Sequence, residues 1–431
     1  MTLVALFAAL LVAVLSGIPI ILAIGGVGLV GLLALPDLAP ALFVQRMFAI
    51  LDNFSLLAMP YFILAGALMS HGGLSRALIE FGQSVVGHLR GSLGHTSVVA
   101  CMVMANVSGS SAAEAAAIGS IVIPSMKEKG YPPGLAASIV GSAALVGPII
   151  PPSMTMIVYG AMAGVSIGGL FMAGVIPGIM IGLALMATIY ALSFLPAYAA
   201  LAQRQPRATL EAILRSARKA WVALLAPVII LGGIFSGVFT ATEAGIVACL
   251  YGLAAALLVY RQITWRDLPR VFLEAARTTA MVVGIIAMAG SLGWLLSYLE
   301  FHLTVVAALR AATTDATVVL LLLLLVMFLL TMFIESLAVL IVLVPVAVYV
   351  GNSYGIDPLH LGLLLVIATQ LGALTPPVAL SLFITTSIAK CPYGETVRHC
   401  PPFIAAIVLV MLAIVWFPPL ALWLPGVTIG R

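Results

Sequence analysis

The stretch ANVSGSSAAEAAAIGSIVIPSMKEKGYPPGLAASIVGSAALVGPIIPPS, residues 105–153, decides how the rest of the chain is read. It has two irregular points, NVSGSSAAEA at Asn106–Ala115 and GPIIPPS at Gly147–Ser153. Each sets small polar residues, Gly or Pro into sequence apolar enough to lie in a membrane. A second copy follows within Thr331–Val378, as TMFIESLAV and GALTPPV. The copies register at an offset of 225: Ser111 with Ser336, Pro133 with Pro358, Gly147 with Gly372, and Pro151-Pro152 with Pro376-Pro377. Membrane segments broken at matching places in two halves of a chain point to a transporter binding site.

Composition sets the class. Hydrophobic residues make up 63% of the 431 and charged residues 7%, with a mean hydropathy of +1.26, whereas soluble domains carry about 25% charged residues. The chain reads as an integral, polytopic membrane protein with room for roughly ten or more segments of about 20 residues. Its cations sit in short loops between apolar runs, so the +4 net charge does not point to nucleic acid. The first apolar run, Leu3–Leu33, is too long for a cleaved signal and has no cation before it. Cys101, Cys249, Cys391 and Cys400 give neither a disulfide framework nor a zinc spacing.

In chain order, Leu3–Leu33 breaks at Ser16-Gly17-Ile18-Pro19 into two short crossings, and Trp221–Tyr260 breaks likewise after Ser236-Gly237. Phe54–Ser70 crosses. His71–Gly91 mixes Arg76, Glu80, His88 and Arg90 with Leu74, Leu78, Phe81 and Val85, the pattern of an interfacial amphipathic helix. Arg90, Lys127 and Lys129 flank Ser92–Met126 on both sides, so this segment enters and leaves the membrane from the cytoplasm. Arg204–Lys219, with five cations and one acid, is the linker between halves. From Ala311 to Ala389 there is no cation, which puts the flanks of the second hairpin outside, opposite to the first. Arg46 is the one cation that this topology places poorly.

The expected fold is therefore all-α, with two inverted-topology repeats that each contain a re-entrant helical hairpin and a broken transmembrane helix. The first repeat is 1–203: scaffold helices in 1–72, an interfacial arm 73–91, a hairpin 92–128, a broken helix 132–163 and a helix 170–198. A basic cytoplasmic linker covers 204–219. The second repeat is 220–431: scaffold helices in 220–299, an arm 300–315, a hairpin 316–350, a broken helix 358–389 and a helix 401–424.

Opening a helix inside a bilayer strands N–H and C=O groups at several kcal/mol each unless something satisfies them. Half-helix C-termini suit a cation and half-helix N-termini an anion. Pro151-Pro152 and Pro376-Pro377 can start a second half-helix, because Pro is tolerated in its first turn, and Gly147 and Gly372 suit the reversal before it. Ser108, Ser110, Ser111, Thr331, Ser336 and Thr375 add hydroxyl oxygens, the ligand type a hard cation such as Na⁺ takes. A Pro alone would be only a kink, and small residues at the tips could serve close helix packing. The paired, equally spaced breaks favour function.

Three acids lie in apolar sequence, and intramembrane carboxylates are functional candidates by default. Glu335, at the second tip, is the candidate for the cation site. Glu114 could equally pair structurally or stay protonated, and Glu243 sits at a helix break near the membrane surface as a structural residue. His71, His88, His95 and His399 read as loop or interface residues, while His302 and His360 have no visible partner. No P-loop, nucleophile elbow, zinc motif or GxGxxG occurs, so nothing points to ATP hydrolysis or to an enzyme.

ANVSGSSAAEAAAIGSIVIPSMKEKGY and GPIIPPSMTMIVYGAMAGVSIGGLFMAGVIPG strongly resemble the large membrane subunit of the tripartite ATP-independent periplasmic (TRAP) transporters. FTATEAG, MFIESLAVL, GIDPLHLG and LTPPVALSLF are similar to further segments of it. The resemblance implies an elevator-type core of the ion transporter superfamily in a bacterial inner membrane, surrounded by membrane lipid. It also implies Na⁺ as coupling ion without organic cofactor, a small membrane subunit and a periplasmic substrate-binding protein as partners, and import of an organic acid. By motif, Asn106, Ser108 and Ser110 facing Gly147–Pro151 would form one Na⁺ site. Thr331, Glu335 and Ser336 facing Gly372, Thr375 and Pro376 would form the other. Many members have Gly or Pro where this chain has Ser336. The substrate carboxylate would lie between the tips on half-helix N-termini and hydroxyls, at Ser110, Ser111, Pro152, Ser153, Ser336, Thr375 and Pro377. Two alternatives are a self-sufficient cation-coupled dicarboxylate or citrate carrier and, more remotely, a membrane-embedded enzyme.

Overall fold

The computed structural model describes residues 3–429, all α-helical apart from short 3-10 and π turns. The first helices are short: α1 (Leu3–Leu15) and α2 (Ile20–Leu33) part at Gly17, whose φ is 78°, and Pro19. Next come α3 (Ala41–Leu51), α4 (Ala58–His71) and the arm α5 (Leu74–Val86). The arm buries Leu74, Leu78, Ile79 and Val86 and exposes Arg76 and Glu80. Val85, expected on its apolar face, points outward.

The first hairpin is α6 (Ser92–Ser108) and α7 (Ser111–Glu128), joined through Gly109 and Ser110 alone. Its broken helix is α8 (Pro133–Ala143) and α9 (Met154–Ala163), followed by α10 (Ile167–Leu192). The expected linker is irregular only over 203–209, which holds Arg204 and Arg207; Thr209 then caps α11 (Leu210–Phe235), and Arg215, Arg218 and Lys219 lie within the first three turns of that helix. Then follow α12 (Ala241–Ala254), α13 (Leu268–Tyr298) and the second arm α14 (Phe301–Ala312). The second hairpin is α15 (Ala316–Thr331) and α16 (Ser336–Ser353), and its broken helix is α17 (Pro358–Leu374) and α18 (Leu380–Ala389). The chain closes with α19 (Tyr393–Arg398), α20 (Pro401–Trp416) and α21 (Pro419–Ile429). The single crossing expected over 401–424 bends by 60° between α20 and α21, because Phe417 precedes Pro418 and that position disfavours helical backbone.

Among the described residues, six helices are long and apolar enough to cross a membrane, and the bent α20–α21 pair is a seventh. The expectation of ten or more full-length segments was too high. Breaks and tips divide the remaining apolar sequence into helices of 10–17 residues. This is a multi-pass membrane protein.

Both broken helices lie at the centre. All of α8 from Gly134 to Ala143 is buried, as is α17 from Leu359 to Gly372. The hairpins wrap them crosswise: α7 packs on α8 and on α18, while α16 packs on α17 and on α9. The outer helices turn Val12, Leu22, Val30, Leu33 and Val228 to the surface, as a lipid-facing layer should. The cation-bearing loops gather at one end. Lys127 Nζ donates to the Ala389 carbonyl at 2.7 Å, Lys219 pairs with Glu80 at 3.1 Å, and His71 meets Glu274 at 3.0 Å. At the other end Arg310 donates to the Ser353 carbonyl at 3.3 Å, so Arg310 joins Arg46 as a cation away from the basic end. Arg46 lies over the Trp294 ring, 4.8 Å from its centroid.

Candidate functional site

Each hairpin tip lies against the break of its own half. At the first tip, Gly109 ends α6 with a φ of 55°, and a Cβ there would stand 2.8 Å from the Pro152 carbonyl oxygen. Ser110 is the N-cap of α7, its Oγ accepting from Ala113 N at 3.4 Å. Asn106 is buried and donates Nδ2 to the Met102 and Val103 carbonyls at 3.1 and 3.2 Å, which turns its nitrogen toward its own helix. The side chain of Ser108 lies outside the described residues. One turn into α7, the buried Glu114 sets its carboxylate directly on Gly147, where a Cβ would overlap it.

The first break is entirely buried from Ala144 to Ser153. Its Pro151-Pro152 peptide is cis. Ser153 caps α9 by accepting from Met156 N at 3.3 Å. The Ser153 and Thr155 hydroxyls, 2.8 Å apart, both reach the Pro148 carbonyl, at 2.5 and 3.3 Å. That carbonyl is one of the groups the break strands, and this pair satisfies it. Ser153, expected to touch substrate, is therefore engaged inside its own break.

The second break is built on the same frame, and its Pro376-Pro377 peptide is also cis. Here Thr331, at the end of α15, lies on Gly372, where a Cβ would overlap its hydroxyl oxygen. Thr331 Oγ1 donates toward the Met327 and Phe328 carbonyls, at 2.8 and 3.1 Å. Val378 N donates to the Met332 carbonyl at 3.2 Å and joins break to tip. Ser336 is buried, with Oγ 3.5 Å from the Thr369 carbonyl. Thr375 donates to Leu371 in its own helix at 2.8 Å. Pro377 and Val378 are exposed. Glu335 is the N-cap of α16, with Oε2 accepting from Ala338 N at 3.0 Å. At the 225 offset it occupies the position of Ser110.

The predicted residues thus fall into two groups: Asn106, Ser110, Gly147, Pro151 and Pro152 around the first tip, and Thr331, Glu335, Ser336, Gly372, Thr375 and Pro376 around the second. Hydroxyls, backbone carbonyls and one carboxylate line each group, with no Lys or Arg. Such oxygen-rich sets suit a hard cation, and the capped N-termini of α7 and α9 suit a carboxylate.

Two buried polar residues at or near the breaks escaped the sequence reading. Thr155 stands just past the break and looked like an ordinary half-helix residue. Gln370 is 3% exposed in α17, and its Oε1 has no hydrogen-bond partner among the described residues. A lone amide in an apolar helix, two residues before Gly372, was the available signal. Elsewhere, Glu243 forms a capping box with Thr240, the structural role expected of it. His360 Nε2 lies 3.0 Å from the Ile414 carbonyl, and the His302 ring packs on Tyr349. His95, read as a loop or interface residue, is instead buried in the first turn of α6 against the Arg90 carbonyl.

Comparison with known proteins accords with this architecture. Residues 3–420 match the family described as the tripartite ATP-independent periplasmic transporter, DctM component. The C4-dicarboxylate TRAP transporter large permease protein of Pseudomonas aeruginosa is 39% identical over 92% of this chain and 91% of its own. The sialic acid TRAP transporter large permease protein of Vibrio cholerae is 34% identical over 90% of each chain. Among solved structures, the Alcanivorax borkumensis YdaH transporter shares the fold, with a TM-score of 0.62 and 13% identity over 88% of this chain and 87% of that one. With a family match over nearly its whole length and relatives well above 30% identity, this chain belongs to the large permease component of the TRAP transporters, a family of transport proteins rather than enzymes.

Proposed function

We propose that this chain is the translocating subunit of a Na⁺-coupled importer of a small organic acid in a bacterial inner membrane. A periplasmic binding protein delivers the acid, and a small membrane subunit completes the complex. The two halves are inverted-topology repeats, and the basic end is cytoplasmic by the positive-inside rule. Asn106, Ser110 and the first break hold one Na⁺. Thr331, Glu335, Ser336 and the second break hold another. The substrate carboxylate rests between the tips, on Ser110, Ser111 and the facing half-helix termini. Ion binding orders the tips, and the hairpins with their broken helices move as one body against the outer helices, an elevator step. The observation that carries this reading is the pair of tip-on-break contacts, Glu114 on Gly147 and Thr331 on Gly372. They set oxygen-bearing side chains, with no Lys or Arg beside them, against glycines at matching places of the two halves. The relatives are named for chemically different acids, so the substrate is given only as a class.

The test is uptake into proteoliposomes holding the chain, its small partner and the binding protein, with labelled dicarboxylates, sialic acid and keto acids. Uptake that needs both an inward Na⁺ gradient and the binding protein is expected, and Ser110→Ala and Glu335→Gln are expected to impair its Na⁺ dependence. Uptake without the binding protein would establish the self-sufficient carrier instead, and unchanged Na⁺ dependence in both variants would remove the site assignment.

A further inference from the structure

At the basic end a cavity of about 720 Å³ opens between the arm α5, the outer helix α11, the turn beyond α12 at Val259, Tyr260 and Gln262, and the outward face of hairpin helix α7. Arg76 and Glu80 reach it from α5, Arg218 and Lys219 from α11. Lys219 Nζ lies 3.1 Å from Glu80 Oε2, so one cation and the one acid neutralise each other. Arg76 and Arg218 are exposed, and neither has an ion-pair partner among the described residues. The cavity therefore carries net positive charge on two guanidinium groups. Its opposite wall is small and neutral, from Ala117 to Ile121 of α7 with the Ser120 hydroxyl between. Ala117 follows the tip residue Ser111 by six positions, about 9 Å along a helix.

We propose that this cavity is a cytoplasmic binding station for the carboxylate of a small organic anion, held by Arg76 and Arg218 as it leaves the first hairpin tip. The direction of passage rests on the transport reading above, whereas the anion site itself does not. Guanidinium forks match carboxylates two bonds at a time. A concave wall of one sign also raises the local concentration of the opposite ion. The tips hold no cation at all, so these two arginines are the first guanidinium groups an anion released along α7 meets. A phospholipid phosphate shares this charge chemistry. The free organic anion is favoured because one wall belongs to the hairpin rather than to another outer helix, which places the cavity on the tip's own side.

The experiment uses the full chain in phosphatidylcholine nanodiscs at low ionic strength, titrated with succinate and with citrate. Trp221, which lines the cavity and is half exposed, is the reporter, with Trp221→Phe as the blank. A saturable fluorescence change is expected, weakened about tenfold by Arg76→Gln and by Arg218→Gln. Arg76→Lys should recover only part of the affinity, because an ammonium keeps the charge but not the two-bond fork. Glu80→Gln should tighten binding severalfold, because it releases Lys219, and a merely structural role for these residues would not give that sign. Arg215→Gln, which loses only its exposed partner Glu211, should change nothing. Affinity unaltered in the double variant Arg76→Gln/Arg218→Gln would overturn the proposal. So would a response to phosphatidylglycerol in the nanodisc with none to succinate or citrate, which would assign the cavity to lipid. If uptake proves independent of Na⁺ while succinate still binds through Arg76 and Arg218, the coupling reading falls and the anion site stands.

Discussion

The two breaks share a frame and differ in what holds them. Each has a cis Pro-Pro peptide preceded by a glycine that carries a hairpin residue. The first is fully buried, and its Pro148 carbonyl is held by two hydroxyls, Ser153 and Thr155. The equivalents at the second, Val378 and Leu380, cannot make such bonds, and Pro377 and Val378 lie exposed. The acids differ as well. In the first half the acid, Glu114, lies on the break while a neutral serine caps the hairpin helix; in the second the acid, Glu335, is itself the cap, and Val339 stands where Glu114 would. One frame thus supports a break closed by its own side chains and a break held mainly by its backbone. The second needs less to be undone before its tip can move.

The sharpest challenge to this comparison is methylation of the two glycines. Gly372→Ala should cost about 3 kcal/mol, the upper end of overpacking, because the new Cβ meets both Thr331 and the Phe328 backbone carbonyl. Gly147→Ala meets first the far end of the Glu114 side chain and should cost about 1–2 kcal/mol. Thermal melts of the two variants in one detergent compare them, and equal losses would mean that the second tip yields more readily than its contacts indicate.

A smaller effect is expected from the hydroxyl pair. Ser153→Ala removes the α9 cap and one bond to Pro148, for about 1–2 kcal/mol. Val378→Ala, at the equivalent exposed place, should stay within about 0.5 kcal/mol. A Val378→Ala loss matching that of Ser153→Ala would erase the distinction between closed and open breaks.

The smallest effect separates the caps. Glu335→Ala should cost about 1 kcal/mol and Ser110→Ala about 0.5 kcal/mol, the low end for a lost cap, since the Glu335 bond to Ala338 N is 3.0 Å and the Ser110 bond to Ala113 N is 3.4 Å. Hydrogen exchange in the first turns of α7 and α16 reads this directly. Faster exchange in α7 than in α16 after substitution would reverse the assignment.

Much of the layout could be read in advance, for local reasons. Gly17, Pro19 and Ser236-Gly237 end helices wherever they occur, and Arg76 and Glu80 on an otherwise apolar helix mark an arm whatever lies beneath it. The count of long apolar crossings and the side of Val85 were misjudged, each because packing decides them. Arg204–Lys219 is polar enough for a loop, yet Thr209 supplies a cap and the helix starts within it. His95 has the composition of an interface residue, but the Arg90 carbonyl receives it inside.

By itself the sequence determined where the backbone must open and what polar atoms stand there, because stranded N–H and C=O groups demand Gly, Pro and hydroxyl residues at that very place. Only the tertiary structure decided which of these atoms meet. That Arg76 and Arg218 share one cavity depends on which helices stand side by side, and that Glu114 rather than Asn106 lies on Gly147 depends on which face each hairpin helix turns inward. Lipid and protein interior are equally apolar, so a helix that is hydrophobic all round carries no pattern from which that face can be read.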